Sequence, residues 1–375
     1  MNKGNELKTI KVLFFIEQHS ISYKYFENML AALKQMGGFK VEVFNLIRNK
    51  EVNDHLSQFC SRVYTFTDKA PYKKQVFYIR RIIRQSSPDL VHAHEVIPAF
   101  YAAMGLMAGL SGIKLIFHRH HSFYRNKATK IMERVAFSRC NIAISVSKTT
   151  QQAAFKEHPL GKKKIIQLYN GIEVTDNGMA LPVDMKQYNN VPKIVLLARL
   201  RARKGHDTAI AAIDIVRKKI PGVLLFFAGE GDLRKEIEIM IATKGLEKNV
   251  VLLGDVQNIK PLMSKMDISI LPSESEAFNL SILETFACRR LSIASDLSSI
   301  RECITNGETG ILIKPGDAEQ LAQKIIYFLE NEAERNRIAE NGFKLYEQEF
   351  KTIVMVKKIA AVYRSLFAKT NAKTN

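Results

Sequence analysis

The sequence is short of the groups that build redox and metal centres. It has four cysteines, Cys60, Cys140, Cys288 and Cys303, and no two are spaced as a C-x-x-C motif. That excludes a thioredoxin-like pair and a cysteine zinc site, and it favours a reducing cytoplasm. The opening residues, MNKGNELKTIKVLFFI, have neither the apolar core nor the small-residue cleavage site of a secretory signal. Long apolar runs are scarce as well. Residues 96–113, VIPAFYAAMGLMAGLSGI, barely reach spanning length, and Gly105, Gly109 and Ser111-Gly112 interrupt them before Lys114. A buried helix between two strands fits that pattern better than a membrane span.

Familiar site signatures are missing too. No G-x-G-x-x-G follows a strand and there is no Walker A lysine, which removes support for dinucleotide oxidoreductases and P-loop NTPases. There is no Asp-x-Asp to hold a metal-bound nucleotide diphosphate, and no G-x-S-x-G elbow.

What is present is a chain of 375 residues, 46% hydrophobic and 25% charged, which is globular composition and long enough for two domains. The net charge of +19 is uneven: residues 1–190 hold 28 Lys and Arg against 14 Asp and Glu, the remainder 28 against 23. A basic first half suits an anionic partner, or simply a solvated surface. No aromatic-basic interleaving or reading helix points to nucleic acid.

The first half alternates strand-like and helical runs. IKVLFFI (10–16), KVEVFNL (40–46), DLVHAH (89–94), KLIFHRH (114–120), CNIAISVS (140–147) and KIIQLYN (164–170) read as strands. Phe26, Met29, Leu30 and Leu33 mark an amphipathic helix between the first two. Residues 174–193, rich in Asn, Pro, Asp and Gly, read as a linker. A second series then follows in KIVLLA (193–198), VLLFFAG (223–229), VVLLG (250–254), ISILP (268–272), LSIAS (291–295) and GILI (310–313). Helical stripes lie between them, at Ala209, Ile210, Ile213 and Val216, and at Leu233, Ile237, Met240 and Ile241. The expectation is an α/β chain of two Rossmann-like parallel-sheet domains facing across a cleft. The expected bounds are 1–187, 188–349, and a C-terminal helical segment 350–375 that crosses back to the first domain.

The segment 268–302 carries the most chemistry. A strand ends at Leu271, a polar loop holds Glu276, and a helix is expected near Ser281 with Glu284 in its first turn. A helix N-terminus suits a diphosphate, and flanking carboxylates suit sugar hydroxyls. Ser281-x-x-Glu284 is equally a capping box with no ligand role. ARLRARKGHD (198–207) places Arg199 and Lys204 just after a strand, where two cations can neutralise a leaving diphosphate in place of a metal. AGEGD (228–232) offers two glycines for close approach to a ligand or for a tight turn.

Together these segments resemble glycosyltransferase family 4, the retaining, nucleotide-sugar-dependent enzymes of GT-B fold. The matching pieces are ARLRARKGHD, FFAGEGDLR, VVLLGDV, SILPSESEAFNLSILETFA and NGETGILIKPGD, with NGIE (170–173), SVSK (145–148), HAHE (92–95) and FHRHH (117–121) in the first half. The resemblance implies a glycosyltransferase that moves a sugar from a nucleoside diphosphate donor to a hydroxyl of a glycan or lipid-linked acceptor. Cell-envelope polysaccharide synthesis is the implied setting, with no cofactor. It implies Arg199 and Lys204 on the diphosphate and Glu284 on the ribose. Glu276 and the backbone of Phe278, Asn279 and Leu280 would face the transferred sugar, with His120 beside sugar and acceptor. A non-catalytic sugar-nucleotide-binding relative is the alternative, because the pattern is broken in places. Ser20 and Ile21 stand where Gly-Gly is usual, Ala277 and Asn279 where glycines are usual, and Arg289 and Leu291 where Gly and Pro are usual.

Two further features remain. His92 and His94 share one strand face, as do His118 and His120, and parallel neighbours can bring these pairs together. Glu95, the nearest acidic residue, should point to the other face, so a core or acceptor-pocket role is expected and no metal. KAPYKKQVFYIRRIIRQ (69–85) carries Tyr72, Val76, Ile79 and Ile83 on one stripe, with Lys73, Lys74, Arg80, Arg81 and Arg84 around it. It reads either as a helix lying on anionic lipid or as one packed on the sheet with a charged outer face. Envelope glycans are commonly built on lipid-linked acceptors, so the resemblance favours a cytoplasmic protein peripheral on the membrane.

Overall fold

The computed structural model describes residues 9–18, 24–66, 72–107, 109–110, 112–120, 126–176 and 178–368. Ser20, Ile21, His121 and the start of the basic segment lie outside them. The chain divides into two compact units, Met1–Gly171 with Thr352–Asn375, and Ile172–Lys351.

The first unit holds strands β1 (Ile10–Ile16), β2 (Phe39–Asn45), β3 (Val63–Thr65), β4 (Leu90–His94), β5 (Lys114–Arg119), β6 (Ile142–Ser145) and β7 (Ile165–Gln167). They form one parallel sheet in the order β3-β2-β1-β4-β5-β6-β7. Strand side chains alternate between faces, and both faces are covered here. Leu13, Phe15, Val91, Ala93, Leu115 and Phe117 join one core with Ile79, Ile83 and Ala102. On the opposite face Phe14 and His92 meet Phe26 and Tyr363, so the helices Lys24–Met36 and Thr352–Ala368 cover it. The last helix thus belongs to the first unit, and the Tyr25 hydroxyl donates to Met355 Sδ at 3.4 Å.

The apolar stretch at 96–106 is an 11-residue helix, Val96–Leu106, with most of its side chains buried. Among the described residues no helix is long and apolar enough to cross a membrane. The basic segment forms the helix Tyr72–Ser86. Its Ile79 and Ile83 are fully buried, packed where Gly105 leaves room for them. Lys74, Phe77, Arg81 and Arg84 are exposed. The apolar stripe is therefore used inside the unit, and the charged face points outward.

The second unit holds β8 (Lys193–Leu197), β9 (Leu224–Ala228), β10 (Val250–Gly254), β11 (Ile268–Leu271), β12 (Leu291–Ser295) and β13 (Ile311–Ile313). These are again all parallel, in the order β10-β9-β8-β11-β12-β13. The helix His206–Lys219 buries Ala209, Ile210, Ile213 and Val216 against this sheet. Residues 174–193 are less bare than their composition suggests. Met185 is buried beside Val195 and Phe226, with Leu181, Val183, Tyr188 and Val191 packed around it. In both sheets the order reverses once, between β1 and β4 and between β8 and β11. In open parallel sheets a ligand crevice opens beyond the carboxyl ends of the strands at such a reversal.

Candidate functional site

The loops that leave β8 and β11 lie at the reversal of the second sheet. Gly205, with φ at +74°, caps the helix that follows β8, and a Cβ there would run into the Pro272 carbonyl oxygen. Only glycine lets the two loops come this close. Arg203 is also left-handed, at φ +67°, which costs a non-glycine residue about 1–2 kcal/mol. Its carbonyl accepts the Glu274 N–H at 2.9 Å, which fastens the same two loops together.

That junction sets the central contact. Lys204 Nζ donates to both carboxylate oxygens of Glu276, at 2.8 and 3.0 Å. The Glu276 side chain is 7% exposed and that of Lys204 29%. Ser299, itself buried, donates to the Glu276 carbonyl at 2.8 Å and holds that residue's backbone in place. Arg199 is exposed, and its side chain makes no hydrogen bond or ion pair among the described residues. Sequence reading missed Ser299, because nothing local to DLSSIRE ties it to a residue 23 positions earlier.

The site helix is Leu280–Ala287, and its N-cap is Asn279. Asn279 Oδ1 accepts the N–H groups of Ser281 (2.8 Å) and Ile282 (3.3 Å) and the Ser281 hydroxyl (2.6 Å). The helix does begin near Ser281 as expected, but the placing of Glu284 in its first turn is corrected. Ser281 lies inside the helix, Glu284 is the fifth helical residue, and no Ser281–Glu284 capping box forms. Asparagine is among the strongest N-caps, so the earlier residue wins. The N–H groups of Asn279 and Leu280 donate to no partner among the described residues, as expected of a helix start. Glu284 is half-buried on this helix, and the Phe278 ring lies 6.1 Å from that of Phe350.

Arg289 shows how the chain does without the usual glycine. The Arg290 N–H reaches the Thr285 carbonyl (3.1 Å) and the Arg289 N–H the Phe286 carbonyl (2.9 Å), the Schellman pattern of hydrogen bonds. Arg289 takes the left-handed position at φ +52°. Its guanidinium sits 3.8 Å over the Phe343 ring and pairs with Glu340 at 2.7 Å, which offsets the strain. Leu291 simply begins the buried strand β12. The AGEGD glycines also have a structural use: Cβ atoms on Gly229 and Gly231 would strike the carbonyls of Ala198 and Leu200. Next to this turn, His206 is buried, and burial lowers its pKa to about 4, so it is neutral near pH 7.

His120 lies in the first unit. It is half-buried and stacks on His118 and His94, with ring centres 4.3 and 5.2 Å apart. Its Nε2 is 3.0 Å from His94 Nδ1. His92, His94 and His118 are buried behind it, and burial together with the neighbouring imidazoles holds their pKa values well below the ordinary range. Arg119, beside them in sequence but on the other face, was also missed. It is almost fully buried, ion-paired with Glu133 (3.1 Å), and it donates hydrogen bonds to Glu157 (2.5 Å) and the Thr150 carbonyl (3.0 Å).

The family described as "Glycosyl transferases group 1" matches residues 183–345, and "Glycosyltransferase Family 4" matches residues 24–176. The chain belongs to glycosyltransferase family 4. Among curated relatives of this family member, an alpha-D-kanosaminyltransferase of Streptomyces kanamyceticus is 27% identical over 177 residues, 47% of this chain and 46% of the relative. The lipopolysaccharide core biosynthesis glycosyltransferase LpsE of Rhizobium meliloti is 25% identical over 194 residues, 51% and 55% of the two chains. The chain thus spans about half the length of these relatives. Among solved structures, Anabaena Alr3699/HepE in complex with UDP and glucose superposes with a TM-score of 0.81 at 21% identity, covering 95% of this chain and 100% of that one. The fold is GT-B.

Proposed function

We propose that this family member transfers a sugar from a nucleoside diphosphate donor to a hydroxyl of a glycan or lipid-linked acceptor, with retention at the anomeric carbon. The observation that carries this reading is the Lys204–Glu276 pair at the reversal of the second sheet. A diphosphate meeting that pair competes with Glu276 for Lys204, and exposed Arg199 supplies a second cation. Both stabilise negative charge that grows as the sugar leaves, without a divalent ion. Glu276, released from Lys204, and the N–H groups of the 278–280 turn face the sugar, while Glu284 holds the ribose. His120 stands on the acceptor side. The transition state resembles an oxocarbenium ion, so placing an acceptor hydroxyl on the leaving-group face gives retention without a covalent intermediate. The name of the LpsE relative supports an envelope glycan as the acceptor class. Contact with an anionic membrane would then use the outer face of the helix Tyr72–Ser86, where Phe77 is 75% exposed among Lys74, Arg81 and Arg84.

The test is donor turnover. UDP and UDP-glucose are the first probes, because HepE was solved with UDP and glucose. Nucleoside diphosphate release should persist in EDTA, and the product's anomeric configuration by NMR should match the donor's. Complete loss in EDTA restored by magnesium or manganese would overturn the charge argument. Binding without turnover across a panel of nucleotide sugars and glycan acceptors would favour the non-catalytic relative.

A further inference from the structure

The first sheet carries a cluster that the proposed sugar transfer uses only at its edge. His94 of β4 is paired in register with His118 of β5, and His92 and His120 sit two residues away on the same face. Each polar ring placed on the buried face of a strand costs free energy unless its nitrogens find partners. Here several do not. His92 Nε2, His94 Nε2 and both ring nitrogens of His118 are buried with no hydrogen-bond partner among the described residues. One ring nitrogen from each of the three lies within 4.8 Å of the other two.

The ring positions fit a common ion. Three imidazoles that each bind one ion through a nitrogen at about 2.1 Å have ring centres roughly 4.5–5.3 Å apart. The observed separations are 4.5 Å for His92 and His94, 4.8 Å for His94 and His118, and 5.3 Å for His92 and His118. For two of the three, the second ring nitrogen is held as metal-ligating histidines usually require, while His118 has no such partner among the described residues. His92 Nδ1 lies 2.5 Å from the Tyr363 hydroxyl and His94 Nδ1 lies 3.0 Å from His120 Nε2. With Nδ1 protonated and donating in both cases, each Nε2 keeps a lone pair. Phe14 and Phe26 wall the cluster, with Phe14 5.1 Å from His92 and Phe26 5.4 Å from His94.

We propose that His92, His94 and His118 form a binding site for a divalent ion of the zinc class, oriented by Tyr363 and His120. The described ligand atoms that gather there are all imidazole nitrogens. That set selects zinc, nickel, copper or cobalt and disfavours magnesium or manganese, which prefer oxygen. The site departs from the sequence expectation of no metal. It is independent of the donor reading, because its ligands lie in the first unit and Lys204 and Glu276 in the second. The other metal-capable group among the described residues, Glu133, Glu157 and His158, is engaged by the buried Arg119 guanidinium, so it makes the right control.

The experiment is metal analysis of the full chain, expressed with zinc and passed over a chelating resin. The wild type should retain about one equivalent of zinc, the variant His92→Gln/His118→Gln none, and the control His158→Gln the wild-type amount. Cobalt, introduced during expression or refolding, should give the wild type the visible bands of a nitrogen-ligated tetrahedral ion without sulfur charge transfer. That spectrum decides the matter on the wild type alone if the double variant does not fold. A wild type that holds neither zinc nor cobalt overturns the proposal, as does equal retention by wild type and double variant.

Discussion

Asn279 and Ser281 offer alternative starts to the same helix, and the hydrogen bonds of Asn279 Oδ1 settle the choice. Replacing an asparagine N-cap by alanine costs about 0.5–2 kcal/mol. Asn279→Ala should therefore lower apo-protein stability by that amount in denaturant melts. Ser281→Ala, which removes only a hydroxyl bonded to the cap, should change it by less than about 0.5 kcal/mol. A larger loss from Ser281→Ala would restore the capping box. The sequence misleads here because Ser-x-x-Glu satisfies a local signature perfectly well while a stronger cap stands two residues earlier. Arg289 was illegible for the opposite reason. The helix does end where a glycine is usual, but Phe343 and Glu340, more than 50 residues away, make a left-handed arginine tolerable.

Among the elements, long continuous apolar runs announced themselves. IKVLFFI is β1 residue for residue, and every strand expected in the second half is present. β3 was not legible: three residues, Val63–Thr65, are too few to show a period. The buried network of Arg119, Glu133 and Glu157 was equally hidden, since an arginine ending a strand ordinarily reads as exposed. The helix Tyr72–Ser86 had two readings, and the burial of Ile79 and Ile83 shows where its apolar stripe goes. Membrane contact, if made through this element, must use the outer face. Phe77→Ser with Arg81→Glu and Arg84→Glu should then abolish sedimentation with anionic phosphatidylglycerol vesicles while leaving the thermal melt unchanged. Wild-type sedimentation that is absent, or that the variant retains, assigns this face to solvent.

At the scale of the whole molecule, two parallel sheets were readable from alternation of strands and helices, but their strand orders were not. The pairing of Lys204 with Glu276 was not readable either, because the two residues are 72 positions apart and it takes the packing of Gly205 on Pro272 and the Arg203–Glu274 hydrogen bond to bring their loops together. The donor assignment rests on that junction and on the helix beside it. Calorimetric titration of UDP and UDP-glucose (or of the nucleotide pair that the turnover panel selects) into wild type, Glu276→Ala and Glu284→Ala tests it most directly. Loss of a hydrogen bond to a charged group costs about 1.5–3 kcal/mol, or roughly tenfold to a hundredfold in affinity. Glu284→Ala should weaken both ligands by that factor, because both contain the ribose. Glu276→Ala should weaken the sugar donor while leaving the diphosphate as tight or tighter, since Lys204 loses its internal partner. Equal affinities for both ligands across all three proteins would contradict the account.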